Sequence, residues 1–162
     1  MLAFIVLAAA PKWIDNSLAG YALAYDETHK PIGIRDPRSG YMLVRGVECD
    51  GAFLTLLLTR DRKAVASEGF RLPKKGSKND GVLVIVDRRL TSLRTGKGIE
   101  IGTSPHKVQA SLGSPKRIEL KGRFVNYVYE WKAQNEPVQT QRYTFKAEKL
   151  IEVCFVRDER EE

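Results

Sequence analysis

Residues 104–156 spell out a short helix followed by alternating strands, and this run limits the fold more than any other part of the sequence. Ser104 has a side-chain oxygen for the free amides of a helix start, and Pro105 suits the first turn. Val108 and Leu112 fall four apart on one face, Gly113 fits a left-handed end, and Pro115 forbids continuation. From Phe124 to Trp131 the side chains alternate: Val125, Tyr127, Tyr129 and Trp131 on one face, Phe124, Asn126, Val128 and Glu130 on the other. A loop through Asn135-Glu136-Pro137 leads to a strand at 141–146 carrying Tyr143 and Phe145, then to one at 150–156 carrying Ile151, Val153 and Phe155. The pattern predicts a helix plus a three-stranded antiparallel meander over 95–157. Residues 158–162, rich in Asp and Glu, read as an acidic solvated tail.

The stretch 12–94 reads as strand-rich. Tyr41–Val47 and Ala52–Thr59 flank a turn with an Asp50-Gly51 step, which predicts a hairpin. Residues 70–80 hold too little apolar surface to pack and read as an exposed basic loop, after which 82–86 and 90–93 read as a strand pair about a turn at 87–89. No helix motif comparable with 104–112 is visible in this half. Residues 83–93 align with 143–153, apolar on apolar, at an offset of sixty residues, so the chain is expected to hold two related halves. A chain of 162 residues with 43% hydrophobic and 29% charged side chains supports one domain or two small halves sharing a core, and excludes a multidomain machine. The expected fold is α+β, a short helix packed on an antiparallel sheet in two layers.

The residues Gly98-Ile99-Glu100-Ile101-Gly102-Thr103-Ser104, Val108, Leu112-Gly113-Ser114-Pro115, Tyr129-Glu130-Trp131, Tyr143-Thr144-Phe145 and Lys149-Leu150-Ile151-Glu152-Val153 carry a family likeness. Over about the last sixty residues the chain resembles the SmpA/OmlA superfamily, which includes the BamE-like small envelope proteins and, as tandem repeats, the beta-lactamase inhibitor proteins. The resemblance implies a two-layer fold of short helices on an antiparallel sheet, an extracytoplasmic location, and binding of other proteins without catalysis. BamE-like lipoproteins carry an acylated cysteine near the start, which this chain lacks, so membrane anchoring is not implied.

The uncharged apolar run at residues 1–10 resembles the end of a secretory signal and is too short to span a bilayer, so a periplasmic or secreted location is expected. If the run is not a signal, the protein is cytoplasmic and the run joins the core. Cys49 and Cys154 lie too far apart in sequence for a CxxC pair or a zinc framework. In an exported chain they are candidates for one disulfide, and otherwise they are buried thiols.

Charge separates two function classes. The net charge is +7, and residues 60–123 hold 16 basic against 6 acidic side chains. Arg71, Lys74, Lys75, Lys78, Arg88 and Arg89 are the leading members of a basic patch that would meet nucleic acid or another anionic ligand. No zinc finger, RNP motif or recognition helix accompanies them. The aromatic row Tyr127, Tyr129, Trp131 and Tyr143 is the candidate partner-binding face, although such a row more often packs under a helix.

Catalytic, metal and cofactor residues are not expected. His106 and His29 lack partners at ligand or triad spacing, Ser104 is explained by capping, and the glycines at 96, 98 and 102 do not make a dinucleotide or phosphate loop. An unrecognised hydrolase would need a concave site joining His106 to Glu130 or Glu152. The function expected is therefore non-catalytic binding of a protein or envelope component, with nucleic-acid or anionic-ligand binding through 60–123 as the alternative.

Overall fold

Strand β5 (Phe53–Thr59) explains the architecture. Its run Leu54, Thr55, Leu56, Leu57, Leu58, Thr59 is buried throughout, so both faces are covered, and a strand of that kind needs neighbours on both edges. In the computed structural model, which describes residues 10–24, 31–47, 53–72 and 83–158, β5 pairs antiparallel with β4 (Met42–Val47) on one edge. On the other it pairs with β10 (Lys149–Asp158), matching Val153 with Leu58 and Phe155 with Leu56. The two parts of the chain thus share one sheet.

The remaining strands are β1 (Ser17–Leu18) and β2 (Tyr21–Ala22), which form a small separate pair, then β3 (Ile32–Arg35), β6 (Val84–Asp87), β7 (Arg117–Lys121), β8 (Phe124–Trp131) and β9 (Gln139–Lys146). The eight-stranded order is β6-β3-β4-β5-β10-β9-β8-β7, antiparallel except for the parallel β3–β6 contact. The helices are α1 (Arg62–Ser67) and α2 (Pro105–Leu112).

This corrects the expected α+β two-layer fold. Of the described residues 46% lie in strands and bridges and 11% in helices, and a large mixed sheet replaces the short helix on an antiparallel sheet. Helices of six and eight residues are too short to cover eight strands, so loops cover much of the first face. Trp13, Leu18, Ala19, Leu23, Leu90 and Ile99 join Val108 and Leu112 of α2 over Leu43, Leu56, Tyr129, Tyr143, Phe145 and Phe155. On the second face Val65 of α1, Phe70 and Leu83 pack on Met42, Val44, Leu57 and Cys154. The two-halves expectation fails as well: 143–153 forms the β9–β10 hairpin, whereas β6 pairs with β3 and residues 88–93 form no strand.

Other local readings were incomplete. The meander has four strands, β7 being the additional one. A bulge between Leu150 and Glu152 breaks the alternation of β10, leaving Leu150 in the first-face core while Ile151 is half-buried among second-face residues. Helix α1, absent from the sequence reading, starts at Asp61, whose side chain accepts a hydrogen bond from the Lys63 amide at 2.9 Å. Helix α2 runs as its capping residues predict: Ser104 accepts from the Lys107 amide at 3.3 Å, and Gly113 closes the helix with φ +89°. The apolar opening run at 1–9 and the tail beyond Asp158 lie outside the described residues. Among the described residues no helix is long and apolar enough to cross a membrane.

Gly46 supplies the first test of this sheet. It takes φ +150°, and a Cβ there would stand 2.6 Å from the Pro31 backbone, a distance side chains do not tolerate. Gly46→Ala is expected to lower stability by about 2–3 kcal/mol through strain and displacement of the β3–β4 edge. Urea unfolding would measure it, and a variant as stable as the parent would refute the close approach.

Candidate functional site

The second face changes character across the sheet. Under α1 it is apolar, but toward β7 it carries Asn126 of β8, Arg142, Thr144 and Lys146 of β9, and Glu152 of β10. Because α1 is short, it covers only the nearer strands, and a cleft of about 680 Å³ opens between it and β7–β9. Asp61, Lys63, Ser67 and Glu68 of the α1 segment form one wall, and Glu119, Lys121 and Phe124 of the β7–β8 hairpin form the opposite one. This volume falls within the usual range of about 300–1,000 Å³ for small-molecule sites.

The cleft floor is a connected polar network. Arg142 Nη2 donates to Glu68 Oε1 and lies 3.8 Å from Glu152 Oε2. Thr59 Oγ1 donates to Glu152 Oε1 at 2.6 Å while accepting from the Asp61 amide at 2.9 Å. Thr144 Oγ1 donates to Asn126 Oδ1 at 2.7 Å. Burial raises the Glu152 pKa, because desolvation penalises the carboxylate more than the Thr59 hydrogen bond and the Arg142 charge favour it. Burial also works against the Arg142 cation, yet the neighbouring carboxylates Glu68 and Glu152 outweigh it and the guanidinium is held charged. The arrangement can position polar groups of a ligand, and it keeps one carboxyl poised to take up a proton.

Beside the cleft lies an open sheet edge. Among the described residues strand β7 pairs with β8 alone, through Arg117↔Val128 to Lys121↔Phe124. Ile118 and Leu120 share the first face with Tyr127 and Val125 and are 53% and 77% exposed. Arg117, Glu119 and Lys121 alternate with them on the second face, where Arg117 Nε bonds Glu119 at 2.8 Å and Lys116 reaches Glu130.

The aromatic row is placed differently from the expectation that it meets a partner. Tyr129 and Tyr143 are 1% and 0% exposed and meet each other, Trp13 and Phe155 in tilted and edge-to-face contacts at ring separations of 5.5–6.2 Å, so they form core and offer no contact surface. Tyr129 Oη also donates to the Gly113 carbonyl, tying β8 to the end of α2. Tyr127 and Trp131 are half-buried against the same core. The bulk of Trp13, α2 and their loops on this face is the reason.

Arg71, Arg88 and Arg89 are exposed, whereas Lys74, Lys75 and Lys78 lie outside the described residues. Cys154 is a free, buried thiol among second-face residues, and its proposed partner Cys49 also lies outside them. Burial pushes the Cys154 pKa far up, which leaves the thiol inert. His106 is exposed on α2 over the first face, while Glu130 and Glu152 belong to the second, so the sheet separates the groups a hydrolase would need. Among the described residues no group of three or more metal-ligating side chains comes together.

Glu68, Asn126, Arg142 and Thr144 escaped the sequence reading. A usable signal was the non-aromatic face of 124–130, where Asn126 and Glu130 interrupt an otherwise apolar strand. Compared with protein-family models, curated proteins and solved structures, the chain matches none.

Proposed function

We propose that the protein is a non-catalytic binding module that takes an extended segment of a partner protein along β7. The observation that carries this reading is the β7 edge, which no other described residue outside β8 pairs with. Ile118, Leu120 and Phe124 are three of the four exposed large hydrophobic residues among those described, and all three belong to the β7–β8 hairpin. An open edge has unpaired backbone donors and acceptors for a further strand, and the side chains along it set which strand fits. Residues 116–123 carry Lys116, Arg117, Lys121 and Arg123 against Glu119 alone. An incoming strand with acidic residues on the second face and apolar ones on the first complements this edge, whereas a second copy brings like charge against like charge. Export belongs to the same proposal and rests on the apolar run at 1–10; mass spectrometry of the mature start tests it separately.

A synthetic peptide alternating glutamate and valine is the direct probe. Backbone amide shifts on titration are expected to concentrate on β7, and Leu120→Asp is expected to weaken binding by at least about tenfold, roughly 1.4 kcal/mol. The exposed position should leave unfolding stability within about 0.5 kcal/mol of the parent. Shifts elsewhere, equal binding by L120D, or a concentration-dependent dimer formed through β7 would overturn the proposal.

A further inference from the structure

We infer that the second-face cleft binds a small organic anion, a carboxylate or phosphate ester with a flat apolar body. This inference is independent of strand addition at β7. Its floor contains Asn126, only 6% exposed, whose amide oxygen is occupied by Thr144 while its nitrogen donates to no acceptor among the described residues. With its oxygen taken by Thr144, the amide nitrogen remains a donor at the cleft floor that a ligand acceptor can take in place of water.

The surrounding charges select the sign of that ligand. Arg142 is committed to Glu68 and Glu152, and Glu119 to Arg117, with Lys121 at 3.9 Å. Lys63 and Lys146 line the same cleft with no carboxylate partner among the described residues. Lys146 Nζ stands 5.7 Å from the centre of the Phe124 ring, so a cation and an aromatic surface are offered together. Phe124 is 40% exposed, and Tyr41 and Ile151 extend the apolar lining. A ligand that meets Lys63 and Lys146 with its anion, Phe124 with its ring and Asn126 with an acceptor engages both lysines, the exposed ring and the open amide donor of the cleft.

Titration of the full chain with phenyl phosphate and with benzoate tests this, read by the Asn126 side-chain amide signals and the β8–β9 backbone amides. Saturable shifts at those groups are expected from at least one probe, and the tighter of the two identifies the phosphate or the carboxylate form. Benzyl alcohol, which lacks the charge, is expected to bind at least about tenfold more weakly. Lys146→Glu lies at an exposed position and is expected to weaken binding at least about tenfold with the fold retained; Asn126→Asp is expected to do the same. L120D should leave this binding unchanged, which separates its failure from that of the β7 proposal. Equal binding of benzyl alcohol, inorganic phosphate as tight as phenyl phosphate, absence of saturable shifts from both probes, or unaltered affinity in K146E would overturn the inference.

Discussion

Truncating Phe155 to alanine is expected to cost about 3–5 kcal/mol of stability, because it removes a large ring from a site that cannot collapse around the loss. Phe155 is fully buried on β10, the strand that joins the two parts of the sheet. In register it stands between Leu56 of β5 and Gln141 of β9, and its ring lies 6.2 Å from that of Tyr143. Tyr143 in turn contacts Tyr129, which contacts Trp13, so the cavity would open at one end of an aromatic row spanning three strands and a covering loop. Urea unfolding is the measurement. Phe124→Ala, at an exposed ring, is the control and should cost under about 1 kcal/mol. A loss below about 1.5 kcal/mol at Phe155 would be incompatible with a central, fully packed β10.

Replacing Arg142 with methionine is expected to be as severe at neutral pH, about 3–5 kcal/mol, for an electrostatic reason. Methionine keeps much of the side-chain volume but leaves Glu68 and Glu152, 17% and 12% exposed, facing each other without the guanidinium. The cost must depend on pH. Glu152 already has a folded pKa above its ordinary 4.5 because burial penalises the carboxylate, and loss of the cation raises it further. A carboxyl whose folded pKa is raised contributes stability that is present below its unfolded pKa and is lost as pH rises through the folded value. The gap between R142M and the parent should therefore widen from pH 4.5 upward and level off once Glu152 is ionised in the folded variant. Glu152→Gln in the R142M background should recover part of the loss at pH 7.5 and little at pH 4.5. Unfolding curves at those two pH values decide the matter, and an equal deficit at both would remove Glu152 titration as its cause.

Both results bear on function as well as stability. The Arg142 network holds the cleft floor in place, so R142M should disturb anion binding even though Arg142 is committed to its carboxylates. The core variant F155A, by contrast, is on the opposite face of the sheet. A folded fraction of F155A should still bind the probes of both surfaces.

The helix α2 and the strands β8, β9 and β10 could be read from the chain because each depends on neighbours within about ten positions: a cap, a proline, an alternation. Strand β7 was hidden by its composition, since Arg-Ile-Glu-Leu-Lys reads as charged surface although it alternates. Helix α1 was hidden by its length of six residues, too short for a periodic apolar face. The cleft residues come from five separated segments, at Tyr41 and around positions 59–68, 119–126, 142–146 and 151–152. Their meeting depends on the bulge at Ile151 and on where α1 ends, and neither has a local signature in this sequence.

By itself the sequence determined the ends of α2, the inward faces of β8 and β9, and the apolar character of β5 on both sides. Only the tertiary structure decided that β5 would take β10 as its second neighbour, that β3 would pair in parallel with β6, and that loops would bury Tyr129 and Tyr143. Capping and alternation are settled by groups a few residues apart. Strand pairing and the covering of a sheet face are settled by competition among edges and apolar surfaces far apart in sequence, and the energy of each choice exists only once the partners meet.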